Sequence, residues 1–386
     1  MSNIPYGRQD LNQDDINSVL DVLHSDFLTQ GPVVPLFESA VAEYCGAKYA
    51  VAVNSSTSAL HLACLSLGIG KGDIVWTSPV TFVASANCAL YCGAEIDFVD
   101  IDPFTYNLSA EKLAAKLAIA KRNGKIPKLV IPVHLCGQSC DMQSIFALSL
   151  EYGFKIIEDA SHAIGGRFKD EKIGNCRFSD VTVFSFHPVK IITTGEGGMA
   201  LTNKPELNKK MALLRSHGIT KNPSEMIQSQ EGPWYYEQID LGYNYRMTDI
   251  QAALGLSQMR RIDLFVDKRN QIALKYNSAF ENSSLVTPPR DTNYSAFHLY
   301  VIRLPQKDKK NNRNEVFNHL RNQGILVNIH YLPIYHHPYY KKMNFNALEF
   351  PEAELYYKEA ISLPIYPSLS DTQQKEVIDK VLTLCK

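Results

Sequence analysis

The start of the chain places apolar residues at helical spacing among polar ones. Ile16, Leu20 and Leu23 recur every three or four residues behind polar residues that can cap a helix, so we predict a helix over 12–24. A second helical pattern covers 35–44 and ends before a glycine.

Short apolar segments of strand length then alternate with helical segments. Continuous apolar strands separated by helices are typical of a parallel sheet that is covered on both faces. We therefore predict an α/β fold with active groups at the ends of the strands. The predicted strands are 49–53, 73–78, 95–101, 128–135, 154–160 and 181–186, and a helix is predicted over 142–152.

The last third of the chain has a different pattern. One long amphipathic helix is predicted after Thr248, over 249–280. An alternating strand at 297–304, a helix at 315–322 and a strand at 325–330 follow. We predict a large domain over 1–255 and a smaller α+β domain over 256–386.

Composition narrows the class of protein. The 386 residues are 45% hydrophobic and carry a formal net charge of -1, so we expect a globular protein without a nucleic-acid surface. The basic run 307–310 is interpreted as a solvated loop. No segment approaches the ~18 apolar residues of a membrane span and the start is polar, so we expect no membrane partner and a cytoplasmic location.

The eight cysteines lie mostly in apolar segments. This placement favours reduced, buried thiols over a disulfide framework. The pairs Cys88/Cys92 and Cys136/Cys140 have CxxxC spacing but no convincing set of further ligands, so we expect no metal site.

Asp159 and Lys190 carry the main chemical signal. Asp159 ends the apolar strand FKIIED, and Lys190 lies between the apolar segments SFHPV and IITT. Taken alone, the aspartate could be a helix cap and the lysine a surface group. Together they fit a pyridoxal phosphate (PLP) site, in which a lysine forms a Schiff base and a carboxylate keeps the pyridine nitrogen protonated.

Other residues could complete such a site. Ser56 and Thr57 open a helix after the strand YAVAV, where N–H groups and the helix dipole favour a phosphate, and Ser185 could add a hydroxyl. Phe82 could stack on the pyridine ring, and His162 could contact its 3-hydroxyl oxygen. A plain helix cap, core packing and a structural histidine are the respective alternatives.

Several motifs in order resemble the DegT/DnrJ/EryC1/StrS family of fold-type I, PLP-dependent sugar aminotransferases. The resemblance runs nearly end to end. It is carried by SDFLTQGP (25–32), NSSTSALHLA (54–63), EDASHAIGG (158–166), SFHPVK (185–190), GEGG (195–198), LRSHGI (214–219), GYNYRMTDIQAALG (242–255) and HYLPIYHHPYY (330–340).

The resemblance implies a role for each matching residue. Lys190 would hold the cofactor and move the proton at the substrate carbon, and Asp159 would pair with the ring nitrogen. Ser56, Thr57 and Ser185 match phosphate positions. Asn244 matches an asparagine that reaches the cofactor of the neighbouring subunit, which implies a homodimer with shared sites; its alternative is a turn asparagine.

Within this family the chain resembles the UDP-4-amino-4,6-dideoxy-N-acetyl-β-L-altrosamine transaminases of pseudaminic acid biosynthesis. That likeness implies glutamate as the amino donor and a UDP-sugar as the acceptor. Ser56 departs from it, because the subgroup often has alanine there. The residues that the likeness assigns to the nucleotide-sugar pocket are Tyr6, Asp26, Phe27, Leu28, Thr29, Ser56, Ser185, Asn244, His330 and Tyr331.

Four other functions can be weighed against this one. A PLP-dependent sugar dehydratase of this family has histidine at the position of Lys190, and an aminotransferase for a dTDP-linked ketosugar differs only in its substrate. A non-catalytic PLP-fold sensor would need a damaged lysine or an added DNA-binding domain. A nicotinamide-dependent oxidoreductase is disfavoured because GIGKGD (68–73) precedes a strand instead of following one.

Overall fold

A seven-stranded sheet lies at the centre of the protein, seen in a computed structural model that describes residues 3–228, 232–288, 294–305 and 312–385. Gly198–Thr202 runs antiparallel to both of its neighbours, and the remaining pairings are parallel. The predicted, largely parallel sheet is confirmed. Its strands, in spatial order, are Tyr49–Val53, Gly198–Thr202, Val181–Ser185, Lys155–Asp159, Leu129–Ile131, Ile74–Thr77 and Glu95–Phe98.

Helices bury both faces of this sheet. Along one strand Val51 and Val53 belong to one hydrophobic core and Ala52 belongs to another, because successive side chains point to opposite faces. The helices are Gln13–Leu23, Val33–Cys45, Ser56–Ser66, Ala84–Tyr91, Ala110–Arg122, Met142–Tyr152, Pro205–Leu214, Asp249–Met259, Ile262–Phe280, Arg313–Asn322, Pro338–Lys341, Pro351–Glu359 and Asp371–Leu384. None within the described ranges is long and apolar enough to cross a membrane.

The C-terminal third has a core of its own. Tyr300–Arg303 pairs antiparallel with Ala360–Leu363, and three helices pack around this pair. Ile4, from the start of the chain, joins the same core and pairs with Ile325. The other short strands are Ile4–Pro5, Arg167–Phe168, Glu171–Lys172, Ile219–Thr220, Glu237–Gln238 and Ile325–Leu326.

Some expectations were wrong in detail, and one strand was missed. The long helix predicted after Thr248 is two helices that meet at Arg260 and Arg261. The predicted strands 128–135 and 325–330 are limited to Leu129–Ile131 and Ile325–Leu326, and Gly198–Thr202 was not predicted. The domain boundary near 255, which falls within Asp249–Met259, stays a prediction, and the basic run 307–310 lies outside the described residues.

Arg261 explains the break between the two helices. Its guanidinium donates to Asp10 at 2.9 Å and to Asp15 at 2.5 Å, two residues that precede or open the first helix. Asp15 is 1% exposed and also accepts from Ser257 and Gln258. A polar network between the first helix and Asp249–Met259 therefore ends the predicted long helix.

This network also sets which face of the first helix is buried. The helix predicted over 12–24 is confirmed as Gln13–Leu23, but Ile16, Leu20 and Leu23 are 48%, 43% and 49% exposed. The apolar stripe that predicted the helix thus faces outward, away from the core of the chain. An exposed apolar stripe of this kind is typical of an interaction surface.

Candidate active site

The sheet brings the two key residues to one edge. Asp159 is the last residue of its strand and pairs with Val183 of the next strand. That strand ends at Ser185, and Lys190 follows in the turn beyond it. Parallel strands end at the same edge, so both side chains line one cavity of about 900 Å³.

Two donors orient the carboxylate of Asp159. Ser85 Oγ donates to Oδ2 at 2.6 Å, and the backbone N–H of Ser161 donates to Oδ1 at 3.1 Å. Asp159 is 4% exposed and Ser85 is fully buried. Each oxygen keeps a free lone pair, so the carboxylate can still accept from a cationic N–H in the cavity.

Sequence reasoning missed Ser85. The residue lies in the first turn of Ala84–Tyr91, only three positions beyond Phe82, which was predicted. The sequence signal that could have indicated Ser85 was its place at the start of a helix, beside the predicted cofactor residue Phe82. Its contact with Asp159 spans 74 positions and could not be predicted from local pattern.

Lys190 has the properties of a reactive amine. Burial lowers the pKa of its ammonium to about 8, and the nearby Asp159 carboxylate opposes this shift. A much larger fraction of the side chain is therefore neutral near neutral pH than for an exposed lysine. A neutral amine is the nucleophilic form, so Lys190 can attack a carbonyl carbon.

The start of the helix Ser56–Ser66 forms an anion-binding end of the cavity. Ser55 caps this helix by accepting from the N–H of Ser58 at 3.1 Å. The N–H groups of Ser56 and Thr57 have no hydrogen-bond partner among the described residues, and both residues line the cavity. Unpaired N–H groups at a helix start bind phosphate well.

Gly198 allows this helix start to approach the sheet. It pairs with Ser185, which also lines the cavity. A Cβ at position 198 would lie 2.4 Å from the N atom of Ser56, closer than any side chain permits. Glycine therefore brings the helix start and the Ser185 hydroxyl to the same place.

His162 is held neutral in a fixed tautomer. Its Nδ1 accepts from the N–H of Cys136 at 3.3 Å, so Nε2 carries the proton and contacts Tyr331 Oη at 3.2 Å. Burial and the charges of Lys190 and His330 lower its pKa well below the ordinary value. The ring can therefore donate a hydrogen bond without carrying a charge.

Aromatic side chains from the C-terminal third cover the other side of the cavity. The ring of Tyr6 lies 5.0 Å from that of His330, whose Nδ1 is 2.8 Å from Ser362 Oγ. The ring centres of Tyr331 and Phe82 are 6.2 Å apart, and Phe82 is 58% exposed at the cavity wall. Burial and the Lys190 charge lower the pKa of His330 to about 3.

Comparison with known proteins agrees with this site. The model of the DegT/DnrJ/EryC1/StrS aminotransferase family matches residues 9–382. The chain belongs to this family. The protein is therefore a PLP-dependent sugar aminotransferase, since enzymes of the family use this cofactor.

Individual relatives match over the whole chain. The Bacillus subtilis spore coat polysaccharide biosynthesis protein SpsC is 41% identical over 99% of this chain and 97% of its own length. The UDP-4-amino-4,6-dideoxy-N-acetyl-beta-L-altrosamine transaminase of Campylobacter jejuni (strain 81-176) is 38% identical, with coverages of 99% and 97%. The solved structure of Helicobacter pylori PseC, an aminotransferase involved in the biosynthesis of pseudoaminic acid, has a TM-score of 0.91 at 32% identity, with coverages of 100% and 99%.

The predicted site residues of this aminotransferase fall into two groups. The first group lines the cavity and comprises Tyr6, Ser56, Thr57, Phe82, Asp159, His162, Ser185, Lys190, His330 and Tyr331. The second group is exposed, and its members are not among the described lining residues; it comprises Asp26, Phe27, Leu28, Thr29 and Asn244. Backbone bridges from Thr29 to Thr248 and from Asn244 to Ser216 hold the second group in place.

The cavity fits PLP by the chemistry of its groups. One end has unpaired N–H groups and hydroxyls for a phosphate, and the other has a carboxylate that accepts from a pyridinium N–H. The amine of Lys190 shares the cavity with that carboxylate and is close enough to be affected by its charge. The residues that would hold the cofactor are Ser56, Thr57, Ser185, Asp159, His162, Phe82 and Lys190.

Proposed function

We propose that the protein transfers an amino group from glutamate to C4 of a UDP-linked 4-keto-6-deoxy-N-acetylhexosamine, as in pseudaminic acid biosynthesis. The observation that carries the proposal is the cavity in which a partly neutral Lys190 shares space with the oriented carboxylate of Asp159. The names of two relatives, from Campylobacter jejuni and Helicobacter pylori, support the choice of sugar.

Lys190 supplies the proton transfer in this proposal. PLP, when bound, supplies an electron sink and carries the amino group between the two substrates. Lys190 accepts a proton from the donor carbon and delivers one to C4 of the sugar, which requires an amine that is neutral at working pH. The lowered pKa of its ammonium increases the neutral fraction that can accept the first proton, and the ammonium form delivers the second.

Asp159 and the phosphate end would keep the cofactor in position. The carboxylate accepts from the ring nitrogen and maintains its positive charge, and Ser85 and Ser161 fix the orientation of that carboxylate. Ser56, Thr57 and Ser185 hold the phosphate at the other end. Cofactor position matters because small displacements of reacting atoms cost large factors in rate.

The active site would be shared between two copies of the chain. Asp26–Thr29 and Asn244 are exposed and lie outside the cavity lining of one chain, as expected if they complete the site of a partner. The exposed apolar stripe of Ile16, Leu20 and Leu23, followed by exposed Phe27 and Leu28, supports a homodimer. Burying such a stripe stabilises the association.

The uridine nucleotide would bind beside the cofactor, against a wall formed by Tyr6 and residues of the C-terminal third. Tyr6, His330 and Tyr331 line that wall and offer aromatic faces for a base or sugar. Binding energy from the distant nucleotide would orient the ketone at C4. The main competitor is a different nucleotide sugar, because SpsC is named as a spore coat polysaccharide biosynthesis protein.

The proposal is tested with purified protein loaded with PLP. Incubation with glutamate and a panel of UDP- and dTDP-linked 4-ketosugars should give amination of the UDP-linked N-acetylhexosamine, with the C4 configuration determined by NMR. Lys190→Ala should abolish both the visible absorption band of bound cofactor and turnover. Preferred amination of a dTDP-sugar would contradict the substrate, and a wild type that cannot be loaded with PLP would contradict the function.

A further inference from the structure

The cavity has an unusual set of groups for a site that must accept an amino acid. Its described lining residues include five histidines and no arginine. An amino donor carries a carboxylate on the same carbon as its amino group, so this carboxylate must lie close to Lys190. A buried carboxylate needs hydrogen-bond donors.

Two of these five imidazoles already have hydrogen-bond partners on both ring nitrogens. Both ring nitrogens of His162 are occupied by Cys136 and Tyr331. Those of His330 contact Ser362 and Asn328, at 2.8 and 3.4 Å. Neither ring has a free nitrogen for the carboxylate of the amino donor.

His187 is also a weak candidate. It is exposed at the cavity wall, and the negative charge of Glu196 lies close enough to affect its pKa. A carboxylate beside it would repel an incoming carboxylate.

His298 is different, because its ring is buried and has no hydrogen-bond partner in the described part of the chain, whereas His187 and His337 are not buried. Its Nδ1 is buried without a hydrogen bond, and Nε2 makes none with any other described residue. The residue is 4% exposed, lines the cavity, and its ring centre is 4.4 Å from that of His162. An unpartnered buried imidazole at a cavity wall is a group prepared for a ligand.

The backbone around His298 is fixed from two sides. The fully buried Arg269 donates to the carbonyl oxygens of Phe297 and His298 at 3.1 and 3.3 Å. On the other side Gly137 packs so closely that a Cβ there would lie 2.8 Å from the N atom of Phe297. A side chain on a fixed backbone is preorganised for binding.

We propose that His298 binds the carboxylate of the amino donor by donating one ring N–H, in place of an arginine. The inference rests on the proposed function, because it assigns the donor subsite of that reaction. The ring would act in its neutral form. Burial and the positive charges of Lys190 and Arg269 lower the pKa of His298 well below its ordinary value.

Three substitutions separate this role from a structural one. His298→Gln can place an amide N–H near the position of Nε2, whereas His298→Asn is too short and His298→Leu has no donor. We expect the KM for glutamate to rise about 10- to 100-fold in the Asn and Leu variants and less than about 5-fold in the Gln variant. The KM for the nucleotide sugar should stay unchanged.

Binding of an unreactive ligand gives a second readout. Glutarate, a dicarboxylate without an amino group, is titrated calorimetrically into the PLP-loaded protein, and its Kd should follow the same order among the variants. The control is His319→Gln, since His319 is exposed on the helix Arg313–Asn322, outside the described cavity lining. If His298→Leu does not fold, the Gln and Asn variants decide the question.

The inference is overturned if His298→Asn leaves the glutamate KM and the glutarate Kd unchanged, or if it weakens sugar and donor equally. A wild type that binds PLP and glutarate but does not release the amino group of glutamate would refute the proposed function instead. In that case the glutarate Kd of the variants still tests His298.

Discussion

The charged form of Lys190 should lower the free energy of unfolding of the cofactor-free protein. Burial lowers the pKa of the ammonium from 10.5 to about 8 in the folded chain. At 1.36 kcal/mol per pKa unit this corresponds to at most about 3 kcal/mol. Because Lys190 keeps part of its surface open to the cavity, water reduces this cost, and we expect about 2 kcal/mol.

The sign follows from proton binding. Between pH 8 and 10.5 the unfolded chain binds more protons at this group than the folded chain, so stability rises with pH across this window. Below pH 8 both states are protonated and the full penalty is present. Lys190→Met removes the charge and keeps the length of the side chain, so it should stabilise the apoprotein by about 2 kcal/mol at pH 7.

The assay is denaturant unfolding of cofactor-free wild type and Lys190→Met at one protein concentration. We expect the difference in unfolding free energy to be largest at pH 7 and to become small only above pH 10.5, where the wild-type amine is mostly neutral in both states. The control is Lys125→Met, because Lys125 is exposed. A Lys190→Met protein that is no more stable than wild type at pH 7, or an advantage independent of pH, would refute the reasoning.

Three further predictions concern the cofactor and the dimer. Ser85→Ala removes the 2.6 Å hydrogen bond to Asp159 and should weaken PLP binding about 10- to 100-fold in a fluorescence titration. Ser85→Thr should retain most of the affinity for PLP. Equal PLP affinities of the two variants would contradict this prediction. Gly198→Ala places a Cβ 2.4 Å from the N atom of Ser56, so it should reduce the preference for PLP over pyridoxal, which lacks the phosphate. An unchanged ratio of the two affinities would exclude a phosphate site there. Leu20→Asp puts a charge on the exposed apolar stripe. Light scattering should then show monomers, and these should have low activity; an intact dimer would contradict the proposed interface.

Local pattern predicted the parts of the site that depend on strand ends. Asp159 ends one apolar strand and Lys190 follows another. Because parallel strands end at one edge, the cavity that holds both could be predicted from the sequence. The strand Tyr49–Val53 and the helix Met142–Tyr152 were also predicted, with their exact bounds.

Contacts between distant parts of the chain could not be predicted. The bond from Ser85 to Asp159 and the position of His298 depend on how separate elements pack. The break at Arg261 depends on acidic residues about 250 positions earlier in the chain, which no helical pattern reveals. The apolar stripe that includes Ile16 correctly predicted the first helix. The stripe is nevertheless exposed, because Asp15 of the same helix faces the interior.

The central claim is that Lys190 holds the cofactor in the cavity that it shares with Asp159. The most direct measurement is borohydride reduction of the PLP-loaded protein, which makes the link between lysine and cofactor permanent, followed by peptide mapping by mass spectrometry. The account predicts a pyridoxyl phosphate group on the peptide that contains Lys190 and on no other lysine. A label on a different lysine, or an unlabelled Lys190 peptide in protein that retains bound PLP, would contradict it.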